Sequence, residues 1–292
     1  MFTDFFEWLI YGIYGFVNNY GLAIVVFTIL IRVALLPLEI KSKKSMRAMN
    51  KVQPKMQELQ KKYAKDKEKL NQKMQELYKK EKINPLSGCL PMLLQLPLLF
   101  VMFGAMRNLA SAQTGQMLVD LFNRLVESGV DGVGALTNLQ GFLWIKNVFQ
   151  PDSFANGVLP SFANAINAIK TAGIEFTAPE GLEAIYNSYL ATHYGASQFM
   201  NVSVLFWTIR IPTTLTALFQ YANGLFILPL FAAASQMLMT KLTAPQTQQP
   251  ADPNSPANMM NSGAMKWMFP LMSLYFCASY NAAFALYWAT GN

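Results

Sequence analysis

The sequence predicts an all-α integral membrane protein: a five-helix transmembrane bundle with a cytoplasmic antiparallel helical hairpin and an external helical insertion. Three observations lead to this prediction. The chain is 53% hydrophobic and 13% charged, with several apolar runs of nearly spanning length. Of its 23 Lys and Arg residues, 15 lie in 41–82, where only five acids accompany them. One permanent charge, Arg32, interrupts the first apolar run.

Residues 1–18 are rich in aromatic side chains with polar residues between them, a pattern typical of an external interfacial amphipathic helix. Asn18, Asn19 and Gly21 are expected to break this helix at the start of the first span, 19–40. Acidic residues stand near the N-terminus, where a cleavable signal peptide would carry basic ones. We therefore expect the first span to be retained as the insertion signal.

Arg32 is the most informative residue of the first span. A guanidinium stays protonated, and placing it at mid-membrane costs at least about 2.5–3.5 kcal/mol. Snorkelling to the nearer interface is one explanation, but helical side chains lean toward the N-terminus, away from that interface. Thr28 lies one turn earlier on the same face, and the other apolar segments contain no acid to pair with Arg32. A hydrated cavity around an unpaired Arg32 is the favoured interpretation.

Residues 41–83 carry apolar side chains at intervals of three and four, with an expected turn at 64–67. This pattern predicts an antiparallel helical hairpin, bent or restarted at Pro54. Because residues 41–82 have a net charge of +10 (15 bases less five acids), the positive-inside rule places the hairpin in the cytoplasm and the N-terminus outside. Anionic headgroups are favoured over RNA as its partner. The candidate recruiting residues are Lys55, Lys61, Lys62, Lys65 and Lys67.

The second span, 84–107, begins at a predicted helix start, Asn84-Pro85, and contains Gln95, with kinks expected at Pro91 and Pro97. Residues 108–222 are mixed in composition and are predicted to be external. Within them, amphipathic helices are expected at 161–171 and 180–190. The semi-apolar stretch 199–221 is interpreted as an external or interfacial element, because a span there would invert the topology of everything downstream.

The third span is predicted at 223–242 and contains Gln236. A Gln/Pro/Asn-rich cytoplasmic loop follows at 243–264, and the fourth span at 265–283. Residues 284–292 would begin a fifth span. About ten residues cover only half of the hydrocarbon core, so that helix is expected to be truncated here or not to span.

The sequence contains no motif typical of an enzyme site. It has no phosphate-binding Gly-rich loop, no HExxH pair and no nucleophile elbow. We therefore predict a protein that is not an enzyme and needs no cofactor or metal. Cys89 and Cys277 both lie in apolar spans, where they are expected to pack rather than form a disulfide.

Four stretches together resemble the YidC/Oxa/Alb family of membrane protein insertases, of the bacterial YidC type. They are NYGLAIVVFTILIRVALLPLEIKSKKSMRAMNKVQPKMQELQKKY (19–63), NPLSGCLPMLLQLPLLFVMF (84–103), FLWIKNVFQPDS (142–153) and LYWATGN (286–292). With the intervening spans they cover about two-thirds of the chain. Residues 155–222 depart from the pattern, because bacterial members usually pass directly from the PDS-like motif to the third span.

The resemblance implies a hydrophilic groove, open to the cytoplasm and to lipid, in a multi-pass protein of the bacterial cell membrane. Hydrophilic segments of nascent membrane proteins would cross through it without nucleotide hydrolysis. Anionic lipids are further expected partners, the ribosome and the Sec translocon are candidates, and DNA is not a partner. The predicted groove residues are Arg32, Thr28, Gln95, Gln236, Tyr287 and Trp288. A small-anion transporter or channel that binds substrate through Arg32 is the alternative, and an intramembrane hydrolase is a third.

Overall fold

The computed structural model describes residues 2–63, 66–81, 90–204, 207–243 and 263–292, which are mostly helical. The helices are α1 (Phe2–Val17), α2 (Tyr20–Lys62), α3 (Lys67–Lys80), α4 (Leu90–Ser128), α5 (Phe162–Thr171), α6 (Leu182–Tyr194), α7 (Leu215–Tyr221), α8 (Ile227–Thr243), α9 (Gly263–Ser279) and α10 (Ala282–Gly291). The strands are β1 (Phe199–Val204) and β2 (Trp207–Pro212). A first compact unit comprises Met1–Ile29, Val101–Ala233 and Ser273–Asn292, and a second comprises Leu30–Phe100 and Ala234–Met272.

Helix α2 is a single helix of 43 residues that includes residues 20–40 of the predicted first span and the first arm of the predicted hairpin. Pro37 and Pro54 both lie inside it, so the helix does not restart at Pro54. Among the described residues, Tyr20–Ser45 is the one helical stretch long and apolar enough to cross a membrane. Two shorter apolar stretches, Ile227–Leu242 and Trp267–Ser279, lie in α8 and α9.

In the first unit, α1 packs side by side with the first turns of α2. The rings of Tyr14 and Tyr20 stack with centroids 3.9 Å apart, and those of Phe6 and Phe27 meet edge-on at 5.7 Å, so the two helices are antiparallel. On α4, the Asn108 amide donates to Glu7 Oε1 at 2.9 Å, and burial raises the pKa of that carboxyl. The opposite face of α1 exposes large apolar side chains: Phe5, Trp8 and Phe16.

Helix α4 continues 21 residues beyond the predicted end of the second span at 107 and stops at Ser128. The extension exists because Leu118, Leu121, Phe122 and Leu125 are fully buried at helical spacing, in a core shared with the insertion. Gly129, with a φ of +65°, ends the helix, since the left-handed conformation costs glycine little. Part of the region predicted as a separate external segment is thus an extension of the second predicted span.

The insertion contributes α5 and α6 to this core, as the amphipathic patterns at 161–171 and 180–190 predict. Tyr186 and Tyr189 of α6 are fully buried, yet both hydroxyls are satisfied. They donate to the carbonyls of Pro160 (2.9 Å) and Gly134 (3.0 Å). Burial raises the pKa of both phenols. The buried apolar surface and these bonds pack the insertion against the C-terminal part of α4.

The structure departs from the all-α prediction at residues 199–204 and 207–212, which form an antiparallel two-stranded sheet. Phe199 pairs with Pro212 and Val204 with Trp207, in continuous register. The sequence on both strands is rich in β-branched residues with period-two alternation, which favours strands over a helix. Within the sheet, the Arg210 guanidinium lies 4.5 Å from the Phe199 ring centroid and donates to the Ala196 carbonyl at 2.7 Å.

In the second unit, α3 starts at Asp66, whose side chain accepts from the Lys69 N–H at 3.0 Å, as an N-cap does. Lys55 of α2 forms an ion pair of 2.6 Å with Glu81, just after the end of α3. This pair joins the two arms of the predicted hairpin at a separation of 26 residues. Three predicted features lie wholly or largely outside the described residues: the turn at 64–67, the Asn84-Pro85 helix start and the loop at 243–264.

Candidate functional site

Arg32 lies in the second unit within a line of three charged side chains along α2. Its Nη1 is 3.0 Å from Glu39 Oε1, and Lys43 Nζ is 3.7 Å from Glu39 Oε2. Positions 32, 39 and 43 fall on one helical face, because steps of seven and eleven residues nearly complete two and three turns. The Arg32 and Glu39 side chains remain 29% and 28% exposed. Glu39 therefore bridges two cations in a half-buried setting.

The expectation that Arg32 is unpaired is wrong. Its partner is an acid of its own helix, two turns further on, rather than one from another apolar segment. The side chain also extends toward the C-terminal end of α2, against the usual N-terminal lean, because the charge-assisted bond to Glu39 decides its direction. Part of the cost of this charge in an apolar helix is thereby offset within the protein.

Thr28 belongs to the first unit and is fully buried. Its hydroxyl donates to the Ile24 carbonyl at 2.6 Å, the common bond of a helical threonine to the preceding turn. The hydroxyl proton is thus already used within α2. Contact between Thr28 and a substrate stays a prediction.

The remaining predicted groove residues are distributed over both units. Gln236 of α8 lies in the second unit and is partly exposed; the Thr240 hydroxyl donates to its backbone carbonyl at 2.8 Å. Gln95 is helical in the second unit, and its side chain is outside the described part. Tyr287 and Trp288 of α10 lie in the first unit beside Phe284, with ring centroids 6.3 and 5.8 Å from its ring. A shared groove of these residues stays a prediction.

The predicted recruiting lysines lie along the arms of the hairpin. Lys55 is held by Glu81, and Lys61 and Lys62 are exposed at the end of α2. The Lys62 ammonium is 5.8 Å from the centre of the Tyr63 ring. Lys65, and the side chain of Lys67, fall outside what the structure describes.

A second constellation, which the sequence reasoning missed, is built on residues 141–153, here called the capping loop. Its centre is Asp152, a fully buried carboxylate. Asp152 Oδ1 accepts from the N–H groups of Leu225 (2.9 Å) and Phe226 (3.2 Å), and Oδ2 from those of Leu228 (2.7 Å) and the Trp144 indole (3.2 Å). These donors include N–H groups that a helix start leaves unpaired, so Asp152 caps α8.

Asn147 and Asn223 join the capping loop to the residues just before α8. The Asn223 amide donates to the carbonyls of Asn147 (3.0 Å), Gln150 (3.2 Å) and Pro151 (2.9 Å), and its Oδ1 accepts from the Asn147 N–H at 2.9 Å. The Asn223 N–H donates to Asn156. The two ends of the insertion, 155–222, are thereby held next to each other.

The capping loop also contacts the starts of α10 and α2. The N–H groups of Ala282 and Ala283 donate to the carbonyls of Gln150 (2.9 Å) and Val148 (2.8 Å). At α2, the Asn19 amide donates to the Gly141 carbonyl at 2.9 Å, and the Phe142 ring packs where Gly21 leaves no side chain. The capping loop therefore contacts the N-termini of three helices, α2, α8 and α10.

Lys146 completes the loop by binding the end of α7. Its ammonium donates to the carbonyls of Phe219 (3.0 Å) and Ala222 (2.8 Å), where a cation stabilises the helix C-terminus. Burial lowers the pKa of this ammonium. The sequence signal for this constellation was the presence of Asn147 and Asp152 in the stretch 141–153 and of Asn223 at the start of the predicted third span.

The family model and the curated relatives that match this chain point to the same family of membrane proteins. Residues 12–292 match the model of the family described as 60Kd inner membrane protein. Three similar curated proteins are each named membrane protein insertase YidC. The protein from Chlorobaculum tepidum is 28% identical over 99% of this chain, that from Fusobacterium nucleatum 46% over 32%, and that from Caldanaerobacter subterraneus 46% over 36%. These alignments cover 34%, 45% and 52% of the relatives' own lengths, respectively.

Proposed function

Because this chain belongs to the 60Kd inner membrane protein family, we propose that it is a membrane protein insertase of the bacterial inner membrane. It moves short hydrophilic segments of nascent membrane proteins into the bilayer and releases their helices into lipid, without nucleotide hydrolysis. The observation that carries this proposal is the family match, which includes α2, a helix of spanning length with an arginine inside it. The name shared by the curated relatives agrees with it.

The proposed topology has five spans, with the N-terminus, the capping loop and the insertion outside and the 41–83 hairpin in the cytoplasm. Two observations support it. The basic residues concentrate in 41–82, as cytoplasmic segments do. The capping loop contacts the N-termini of α2, α8 and α10, the first, third and fifth proposed spans, and alternation requires those three ends on one side.

The proposed mechanism is electrostatic. A hydrophilic segment of the substrate must cross about 30 Å of hydrocarbon, and a hydrated groove shortens that low-dielectric path. Arg32 offers a charge-assisted hydrogen bond to a passing acidic side chain. The substrate's apolar helix then partitions into lipid, which supplies the free energy. Exposed apolar residues of α8, among them Leu230, Phe231 and Leu238, suit contact with varied substrate helices.

The hairpin has a different proposed role, which is recruitment. Its exposed lysines favour anionic headgroups of the inner leaflet, at about 1 kcal/mol for each lysine near the surface. Lys61 and Lys62 project at the end of α2 and are suited to this contact. The ribosome and the Sec translocon are further candidate partners of the protein.

The proposed function is tested in proteoliposomes that contain the purified chain and no nucleotide. A single-span substrate with a short hydrophilic tail is expected to become protected from protease added outside, at several times the rate seen in empty liposomes. Small anions trapped in the same vesicles are expected to remain inside. Anion release without substrate protection would instead establish the transporter alternative.

The topology is tested with cysteines at Asn187 and Ala191, two exposed positions of α6, in a chain lacking Cys89 and Cys277. Both cysteines are expected to react with an impermeant thiol reagent added to intact cells. A cysteine at Asn71, exposed on α3, is the matched control and should react only after lysis. The reverse pattern would overturn the topology.

A further inference from the structure

Glu39 occupies the position of a ligand on Arg32. Its carboxylate accepts the Arg32 Nη1 hydrogen bond at 3.0 Å, which is the contact proposed above for an acidic substrate side chain. Both members of the pair lie on one helix and need no change of backbone to meet. A substrate carboxylate must therefore compete with a carboxylate that is already in place.

We propose that Glu39 is an internal competitor that determines which nascent chains Arg32 accepts. This inference rests on the proposed insertase function. In the resting protein Glu39 neutralises Arg32. An acidic substrate tail takes over the guanidinium only when it binds more strongly than Glu39 does. Glu39 thereby sets a threshold for acidic tails, while tails without a carboxylate do not engage in the exchange.

The geometry allows the exchange because neither carboxylate loses its charge partner. Lys43 Nζ already lies 3.7 Å from the other oxygen of Glu39, four residues away on the same face. When a substrate carboxylate binds Arg32, Glu39 is retained by Lys43. The exchange thus replaces one ion pair with another, and no isolated charge is left in the apolar helix.

Partial exposure makes the competition reversible. The side chains of Arg32 and Glu39 are 29% and 28% exposed, so another group can approach the pair. The interaction free energy of a solvent-exposed ion pair is small. It corresponds to about a two- to fivefold preference for the paired state over the separated one. A competitor of that strength changes how readily substrates with acidic tails bind Arg32, but it does not prevent them from binding.

The test compares two substrates that differ in one tail residue, Asp or Asn, in the proteoliposome insertion assay. Glu39→Gln is expected to raise the insertion rate of the Asp substrate about two- to fivefold and to leave the Asn substrate unchanged. Lys43→Gln is expected to act in the opposite direction on the Asp substrate, because Glu39 then has no second partner. Glu127→Gln, the same change at an exposed residue of α4, is the matched control and should alter neither rate.

A double variant separates competition from a general effect on folding. In an Arg32→Ala background, Glu39→Gln is expected to produce no gain on the Asp substrate, since there is no guanidinium left to release. Equal rates for Glu39→Gln and the unmodified chain on both substrates would overturn the role of Glu39. The same gain with and without Arg32 would overturn it as well. If the unmodified chain inserts neither substrate, the proposed function itself fails.

Discussion

Replacing Asp152 with alanine is expected to lower the stability of the protein by about 3–5 kcal/mol, because four N–H donors lose their acceptor and each unsatisfied donor costs about 1 kcal/mol or more. The N–H groups of Leu225, Phe226 and Leu228 would be left without an acceptor at the start of α8. In detergent, the midpoint of thermal unfolding should fall by roughly 10 °C. Tryptophan fluorescence can follow the transition.

Two further variants sharpen this test. Gly224→Ala is expected to destabilise the protein through the same contact, because its new Cβ would overlap the Asp152 carboxylate. Asp120→Ala is the matched control, since Asp120 is exposed on α4 and accepts a hydrogen bond from Gln116 at 3.2 Å. It should leave the midpoint nearly unchanged. A midpoint for Asp152→Ala equal to that of the control would show that the capping loop does not contribute to stability.

Arg32→Ala is expected to reduce the insertion of substrates with acidic tails about tenfold or more, since a hydrogen bond to a charged group contributes about 1.5–3 kcal/mol. Substrates with neutral tails should be affected much less. Arg32→Lys retains the charge and should retain most of the activity. Initial insertion rates into proteoliposomes, compared between Asp and Asn tails, measure this effect.

The structure adds a control to the Arg32 experiment. Arg32→Ala also removes the Arg32 partner of Glu39 and leaves that carboxylate beside Lys43, so the effect of Glu39 must be separated from that of Arg32. The double variant Arg32→Ala with Glu39→Gln removes both charges and should be as inactive on acidic tails as Arg32→Ala. Restored insertion in the double variant would contradict the direct role of Arg32.

Several features could be predicted from local sequence because their causes are local. The patterns at 161–171 and 180–190 predict α5 and α6, since a helix places every third or fourth residue on one face. Span-like hydropathy likewise identifies the first part of α2. The strands β1 and β2 were missed because the stretch was assessed for hydropathy, although its period-two alternation was present in the sequence.

The ion pair between Arg32 and Glu39 was missed for a different reason. The preferred lean of a helical side chain is a small bias, and a charge-assisted bond to a residue seven positions later outweighs it. The predicted absence of a partner considered acids in the other apolar segments, whereas Glu39 lies at the end of the apolar part of the same helix. The sequence shows that Arg32 is the one charge in an apolar run, and the structure shows that Glu39 is its partner.

By itself the sequence determined the membrane class, the basic hairpin segment and the residue that interrupts the first span, because composition and periodicity are properties of neighbouring residues. Only the tertiary structure decided what Asp152 and Asn223 do. Most of their partners lie more than 70 residues away, and which distant N–H groups reach a buried carboxylate depends on how the helices pack. A buried polar group must find its hydrogen bonds wherever the fold places them, and a single sequence does not record those distances.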